Sequence, residues 1–181
     1  IGWALRTTTR HTLSLFTSHG QAYTLRVDGI PATTGHGEPI QKFFAFADGE
    51  RIVGIVSHDP RNLPAGQAQP TPPPGDEPPP PYFVAVSTAG KVVRLPVALV
   101  AEVSNRNGRV VMKLDPEGDR VVAAYVSTGE EHVCLASTQG NVLAFLASQI
   151  PVLRGAGKGV MAIKLRPEDR VLAYELHTDK G

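Results

Sequence analysis

The sequence has almost no cysteine and no long hydrophobic run. Cys134 is the single cysteine among 181 residues, so no intrachain disulfide can form and a reducing compartment is expected. No apolar run reaches the roughly 18 residues that a membrane span needs, and no secretory hydrophobic segment opens the chain. We therefore expect a cytoplasmic protein that does not contact a membrane, with Cys134 acting as a buried small hydrophobic residue.

The sequence also lacks the residue patterns that catalysis would require. Its six histidines show no metal-ligand spacing, and one cysteine cannot supply a Cys-X-X-Cys site. The glycine-rich stretch RGAGKG at 154–159 lacks the Ser or Thr that follows the lysine of a nucleotide-binding P-loop. An enzyme with a site at the centre of the fold would need convergent acids and histidines, which are not apparent. We expect this chain to be non-catalytic and to bind no cofactor itself.

The chain as a whole has almost no net charge, but two of its segments are strongly basic. The formal net charge is only +1. Segments 82–114 and 132–166 nevertheless hold nine Lys and Arg against one acid, Glu102. Such clustering produces a local positive field that the total hides.

A repeat of about 50 residues organises the chain. An apolar run ends in a Gly-containing turn at Gly90 and again at Gly140, and a diverged copy has its turn at Gly20. Each copy continues with a second apolar run, a Gly-containing loop, a third run and an acidic turn. Repeats of this length built from strands indicate propeller-like blades, each of which buries its apolar face against the next.

The alternation of apolar and polar residues predicts strands and little helix. We expect two strands within 3–16 and further strands at 22–27, 52–57, 82–87, 91–95, 109–114, 120–126, 132–137, 141–146, 159–165 and 170–176. Segments 97–102 and 147–150 each suit one turn of helix. The tyrosines of the strand runs, Tyr82, Tyr125 and Tyr174, are expected to pack in the core.

A proline-rich segment separates the first copy from the second. Residues 60–81 hold ten of the 16 prolines and almost no large apolar side chain, which predicts an extended insertion loop. The predicted organisation is a first blade repeat with a leading strand at 1–59, the insertion at 60–81, a second repeat at 82–131 and a third at 132–181.

Basic glycine-containing loops recur at one position of the repeat. The second copy has Asn105-Arg106-Asn107-Gly108-Arg109 and the third has Arg154 to Gly159, whereas the first has only Gly35-His36-Gly37. Blades in an arc would place these loops along one rim, giving phosphate contacts without base readout. A propeller-type protein-interaction module is the alternative. Arg51, Arg120 and Arg170 follow an acidic turn in every copy and are expected to pair with those acids.

The three copies together resemble a known family. FTSHGQAYTLRVDGIPATTGHGEPI, VSTAGKVVRLPVALVAEVSNRNGRVVMKL and ASTQGNVLAFLASQIPVLRGAGKGVMAIKL are similar to the C-terminal domain of the A subunit of bacterial type IIA topoisomerases, DNA gyrase and topoisomerase IV. The resemblance implies an all-β β-pinwheel, here with about three four-stranded blades in an open or partial ring. Gyrase carries a Gln-Arg-Arg-Gly-Gly-Lys/Arg-Gly box that residues 152–159 keep only in part. This departure favours topoisomerase IV and leaves gyrase open.

The resemblance also implies function and partners. It suggests a DNA-binding and DNA-bending module that presents double-stranded DNA to a catalytic core. The partners would be the remainder of its own A-type chain together with the B subunit, in a nucleoid-associated enzyme that uses ATP and Mg²⁺ through other domains. The chain begins at Ile1 without Met, consistent with a longer parent. Carried over by position, the DNA-contact candidates are Arg106, Arg109, Arg154 and Lys158, followed by Lys91, Arg94, Lys164 and Arg166.

Overall fold

The computed structural model describes residues 4–32, 34–64, 77–116 and 118–178. The predicted insertion at 60–81 therefore lies partly outside the described residues. No helix in the described ranges is long and apolar enough to cross a bilayer. The predicted all-β architecture is confirmed, because regular structure in these ranges consists of eleven strands and five short 3₁₀ helices.

The strands follow the apolar runs of the three repeats. Two of the 3₁₀ helices, Val97–Val100 and Ala147–Gln149, fall where single helical turns are predicted, and the others are Val27–Gly29, Ile40–Lys42 and Pro60–Asn62. The strands are β1 (Thr12–Thr17), β2 (Gln21–Arg26), β3 (Ile52–Ser57), β4 (Tyr82–Ser87), β5 (Lys91–Pro96), β6 (Arg109–Val110), β7 (Val121–Ser127), β8 (His132–Ser137), β9 (Val142–Leu146), β10 (Val160–Met161) and β11 (Val171–His177).

The strands form three antiparallel sheets that exchange strands between repeats. The first blade has the order β3-β1-β2-β6, and its outer strand β6 comes from the second repeat. The second blade has the order β10-β5-β4-β7, and β10 comes from the third repeat. The third blade, β11-β8-β9, has three strands in the described part of the chain. The three-bladed, open arrangement is thus as predicted, with the fourth strand of each complete blade supplied by the following repeat. The residue bounds given for the repeats stay a prediction.

Three predicted strand runs differ from the structure. Only Thr12–Thr17 is a strand in the described part of the predicted region 3–16, and the runs at 109–114 and 159–165 contain two-residue strands. The last two end early because the backbone turns onto the hairpin of the preceding blade. The N–H groups of Val111 and Met112 both donate to Gly20 O, at 2.9 and 3.1 Å.

The blades pack side by side through two apolar clusters, one between the first and second blades and one between the second and third. Phe16 of the first blade and Phe83 of the second are almost completely buried, with ring centroids 4.5 Å apart. Strands β3 and β7 lie at the sheet edges opposite the exchanged strands β6 and β10, and we call them the inner strands. They approach so closely that a Cβ on Gly54 would lie 2.3 Å from Ala124 O. The third blade is joined to the second through Tyr174, whose hydroxyl donates to Val84 O and accepts from the N–H of Tyr125. The Tyr174 hydroxyl can be buried without a large energetic cost because it both donates and accepts a hydrogen bond.

Candidate nucleic-acid interface

Strand exchange places the basic loop of the second repeat on the outer edge of the first blade. The N–H of Ser104 donates to Thr24 O at 3.0 Å, and Thr24 N–H donates back to the Ser104 hydroxyl at 3.1 Å. The chain then runs along β2 until β6 pairs Arg109 with Ala22. Residues 104–110, which are part of the second repeat, therefore form the rim of the first blade.

The third repeat covers the second blade in the same way. Leu153 N–H donates to Arg94 O at 2.9 Å, and β10 pairs Val160 with Val92. Between them, Gly159 has φ 72°, and a Cβ there would lie 2.1 Å from Val92 O. Only glycine can occupy this position, since the Cβ of any other residue would clash with the backbone of Val92. We refer to residues 104–110 and 153–160 as the rim loops.

The four leading candidates all lie on the rim loops. Arg106 and Arg154 are exposed. Arg109 has a side chain 40% exposed, donates to Leu99 O at 3.1 Å and has its Nη2 3.9 Å from Glu102. Lys158 is 62% exposed, with its Nζ 3.3 Å from Asp115. Exposed ion pairs of this kind are worth little, so these cations can turn to another anion at small cost.

Lys91 has a structural contact in addition to its charge. Its side chain is only 19% exposed, and its Nζ lies 2.6 Å from the Asp115 carboxylate that also contacts Lys158. Hydrogen bonds from Lys91 and then Lys158 hold the pKa of Asp115 below its usual value, against the opposing effect of desolvation. Asp115 thus connects the β5 hairpin to the loop that covers it.

Arg94 does not reach the rim surface. Its side chain is 6% exposed, its Nη2 donates to Glu77 at 2.7 Å, and its guanidinium lies 4.7 Å from the ring centroid of Tyr82. A buried cation that is paired and stacked in this way holds Glu77 against β5. We therefore drop it from the set of proposed DNA contacts.

Two further cations occupy equivalent places on successive blades. Lys113 and Lys164 are both exposed and each follows the residue, Met112 or Ile163, that packs on the hairpin turn of the preceding blade. Arg166 is exposed two residues beyond Lys164. Lys113 was missed as a candidate from sequence, although aligning the repeats on Gly108 and Gly159 would have found it.

Two acids of the acidic turns bind the hairpin turns of their own blades. Asp119 accepts from the Thr88 hydroxyl and the Ala89 N–H, both at 2.9 Å, and Asp169 makes the same contacts in the third blade. These carboxylates fasten the hairpin turns of their own blades. Within the described ranges no ion pair joins Arg51, Arg120 or Arg170 to a turn acid. Glu117 of the second acidic turn lies outside the described residues, so the expected pairing stays a prediction.

The remaining single-residue predictions concern packing. Tyr82 and Tyr174 are buried and Tyr125 is half-buried with its ring 5.0 Å from that of Tyr174, which confirms their packing role. Cys134 is only half-buried, a correction to its expected burial. It lines a cleft on the third blade, which has three strands in the described residues, whereas the other two sheets have four.

Comparison with known proteins identifies a family of propeller-type domains that matches most of the chain. The profile of the family described as "DNA gyrase C-terminal domain, beta-propeller" matches residues 11–59, 81–128 and 131–173. The A subunit of DNA gyrase from Aminobacterium colombiense is 29% identical over 171 residues, which is 94% of this chain and 19% of that protein. The A subunit of DNA topoisomerase 4 from Mycoplasma pneumoniae is 36% identical over 90 residues, covering 49% of this chain and 11% of the relative.

Solved structures show the same fold. The C-terminal domain of DNA topoisomerase IV superimposes with a TM-score of 0.79 at 20% identity, covering 95% of this chain and 49% of that one. A DNA gyrase A C-terminal domain gives 0.64 at 19% identity, covering 94% and 49%. The chain thus spans half of these domains and about a fifth or less of the curated relatives it matches. It belongs to the DNA gyrase C-terminal domain family, the C-terminal domains of type IIA topoisomerase A subunits.

Proposed function

We propose that this chain is a non-catalytic module that binds and bends duplex DNA along the rim loops. The observation that carries the proposal is strand exchange, because it places a basic loop on the outer edge of each of two successive blades. The cations on these edges are Arg106, Arg109, Lys113, Arg154, Lys158, Lys164 and Arg166. Arg109 lies 3.9 Å from Glu102 and Lys158 lies 3.3 Å from Asp115.

Such a surface suits the phosphate backbone better than the bases. Its contacts are flexible cations and backbone near glycine, which neutralise phosphates without reading a sequence. Because the blades follow an arc, DNA that contacts both edges has to bend. The cost of bending is repaid by the additional phosphate contacts, so binding is expected to depend on DNA deformability rather than on base identity.

In the parent protein the module would present DNA segments to a catalytic core. That core, the B subunit, ATP and Mg²⁺ would all lie outside this chain, and the setting would be the bacterial cytoplasm and nucleoid, without a membrane. The described residues contain no group of three or more His, Cys, Asp and Glu that could hold a metal ion.

Paired charge reversals on each edge test the proposal. The variants are Arg106→Glu with Arg109→Glu and Arg154→Glu with Lys158→Glu; Arg6→Glu with Arg10→Glu is the matched control, with the same change in charge on exposed residues before β1. Binding to a mixed-sequence duplex is measured at salt concentrations between about 50 and 200 mM. Each lost phosphate contact lowers the log–log salt slope by about 0.9, so each rim pair should lower it by nearly 2.

Two results would contradict the DNA-binding proposal. One is wild-type binding that ignores salt, and the other is an equal loss in the control pair and the rim pairs. Salt-independent binding to a protein partner, unchanged by rim reversal, would instead support the interaction-module alternative. The thermal unfolding midpoint of each variant shows whether lost binding reflects lost folding.

A further inference from the structure

A second cationic site lies at the inner ends of the first two blades. Arg51 and Arg120 both line a cleft of about 340 Å³, together with Ser18, Val53 and Val121. Arg51 immediately precedes β3 and Arg120 immediately precedes β7, the inner strands of their blades. The cleft therefore lies at the opposite edge of each sheet from β6 and β10, the strands that belong to the rim loops.

The backbone holds both arginines in equivalent positions. Ser18 N–H donates to Arg51 O and Thr88 N–H donates to Arg120 O, each at 2.8 Å. Val121 N–H donates to Ser18 O at 2.9 Å and so fastens the two blades together beside the cleft. Both guanidinium side chains belong to exposed residues, so they reach solvent from a rigid support.

The acids that directly precede the two arginines in sequence, Glu50 and Asp119, have other hydrogen-bond partners. Glu50 accepts from the Thr17 hydroxyl at 2.5 Å through one oxygen and from Ala47 N–H at 2.9 Å through the other. Asp119 accepts hydrogen bonds from Thr88 and Ala89, and the Arg120 guanidinium donates to the Asp119 main-chain carbonyl at 2.8 Å. Among the described residues the cleft thus holds two positive charges without a carboxylate partner. Two like charges in one cleft repel each other unless an anion is bound.

The corresponding cleft between the second and third blades is different. It is lined by Arg170, Thr88 and Ala89 but also by the carboxylates Asp115 and Asp119, and it is smaller, at about 110 Å³. One guanidinium there faces two acids. The same position of the fold therefore supplies an internal comparison in which the arginine already lies beside carboxylates.

We propose that the Arg51–Arg120 cleft binds a phosphate group. Two guanidinium forks approaching from different blades can each donate to a separate pair of phosphate oxygens, whereas one carboxylate would satisfy a single fork. The Ser18 hydroxyl accepts from Arg51 N–H at 3.0 Å, so its own proton is available to a further oxygen. The phosphate belongs either to a free phosphorylated compound or to a nucleic-acid backbone. The site does not depend on DNA binding by the rim loops.

Calorimetric titration with inorganic pyrophosphate at constant ionic strength tests the site. The variant Arg51→Gln with Arg120→Gln should lose at least tenfold in affinity, whereas Arg170→Gln and the Arg154→Glu/Lys158→Glu rim pair should retain it. Because both cleft arginines are exposed and make no ion pair in the described structure, the variant should keep its circular dichroism spectrum and unfolding midpoint. Absence of pyrophosphate binding to the folded wild type, or equal binding to the Arg51/Arg120 variant, would overturn the proposal.

Competition identifies the source of the phosphate. Displacement of pyrophosphate by a duplex, with weaker duplex binding in the Arg51/Arg120 variant, would assign a nucleic-acid backbone. Retention of pyrophosphate in the presence of the duplex would assign a free phosphorylated compound. Both results support a phosphate site, and tighter binding of polyglutamate than of pyrophosphate would overturn it in favour of an acidic peptide.

Discussion

At the scale of single residues, hydrogen bonding decides which charges are structural. Arg94 has the same charge as Arg106 and belongs to a similarly basic stretch. Its partner Glu77 lies in the proline-rich segment, 17 positions earlier, and its second partner is the ring of Tyr82. Neither contact follows from local sequence pattern, so burial of this arginine could not be predicted.

Glu131 shows the same principle for an acid. Its carboxylate is buried and accepts from the Ser127 hydroxyl at 2.6 Å, from the N–H and hydroxyl of Thr128 at 2.8 and 2.9 Å, and from Gly129 N–H at 3.1 Å. Desolvation by burial raises its pKa, but these hydrogen bonds outweigh that effect and the pKa is lowered overall. The ionised form therefore fastens the turn between β7 and β8.

We predict that Glu131→Gln destabilises the protein by about 1–3 kcal/mol at neutral pH, because buried donors lose their charged acceptor. Because the pKa of Glu131 is lower in the folded than in the unfolded protein, its ionisation stabilises the fold at pH values above the unfolded pKa of about 4.3. This stabilisation is lost as the pH falls through the folded pKa. Urea unfolding of the wild type from neutral pH down to about pH 3 should show that loss, and the variant should show less of it. Glu130→Gln, at an exposed neighbour, is the control. An unchanged pH dependence in Glu131→Gln would contradict the assignment.

At the scale of elements, the hairpins follow from sequence and the exchanged strands do not. Each hairpin has an apolar run, a turn with a positive-φ glycine and a second run, as at Gly20, Gly90 and Gly140. β6 and β10 are only two residues long, and each pairs with a strand of another repeat. Periodicity cannot identify such a strand, because two residues contain no alternation and their partner is distant in sequence.

Close backbone approach at the exchanged strand gives a prediction about glycine. Gly159→Ala should destabilise the protein by about 2–4 kcal/mol, since it combines positive φ with a Cβ 2.1 Å from Val92 O. Gly155→Ala, in the same loop, should be nearly neutral because no atom lies within 4 Å of its added Cβ. Thermal unfolding of the two variants makes the comparison. Similar midpoints for both would show that the rim loop is not held against the second blade as described.

At the scale of the whole molecule, the two ends of the array differ. Strand β2 of the first blade pairs with the outer strand β6, whereas β9 of the third blade has an open edge in the described structure. Val142 on that edge is 80% exposed, and Leu143 and Leu146 are also exposed. An uncovered apolar edge strand is a template for pairing with another chain.

We predict that the isolated chain self-associates through this edge and that Val142→Lys reduces the association. A lysine at so exposed a position repels a second strand without disturbing the core. Sedimentation velocity over a range of protein concentrations measures the effect. Ile30→Lys, which changes a residue 42% exposed outside the strands, is the control and should leave association unchanged. Equal behaviour of the two variants would rule out β9 as the contact.

The sequence by itself determined the repeat, the strand class, the hairpin turns and the family, because strand periodicity and glycine turns are local properties that recur at each copy. It also marked the basic loops at 105–109 and 154–159. Only the tertiary structure decided which blade each loop covers, that Arg94 is buried while Lys113 is exposed, and that Arg51 and Arg120 share a cleft. These depend on pairing between residues far apart in sequence, where partner, burial and charge balance are set by packing of one blade on the next.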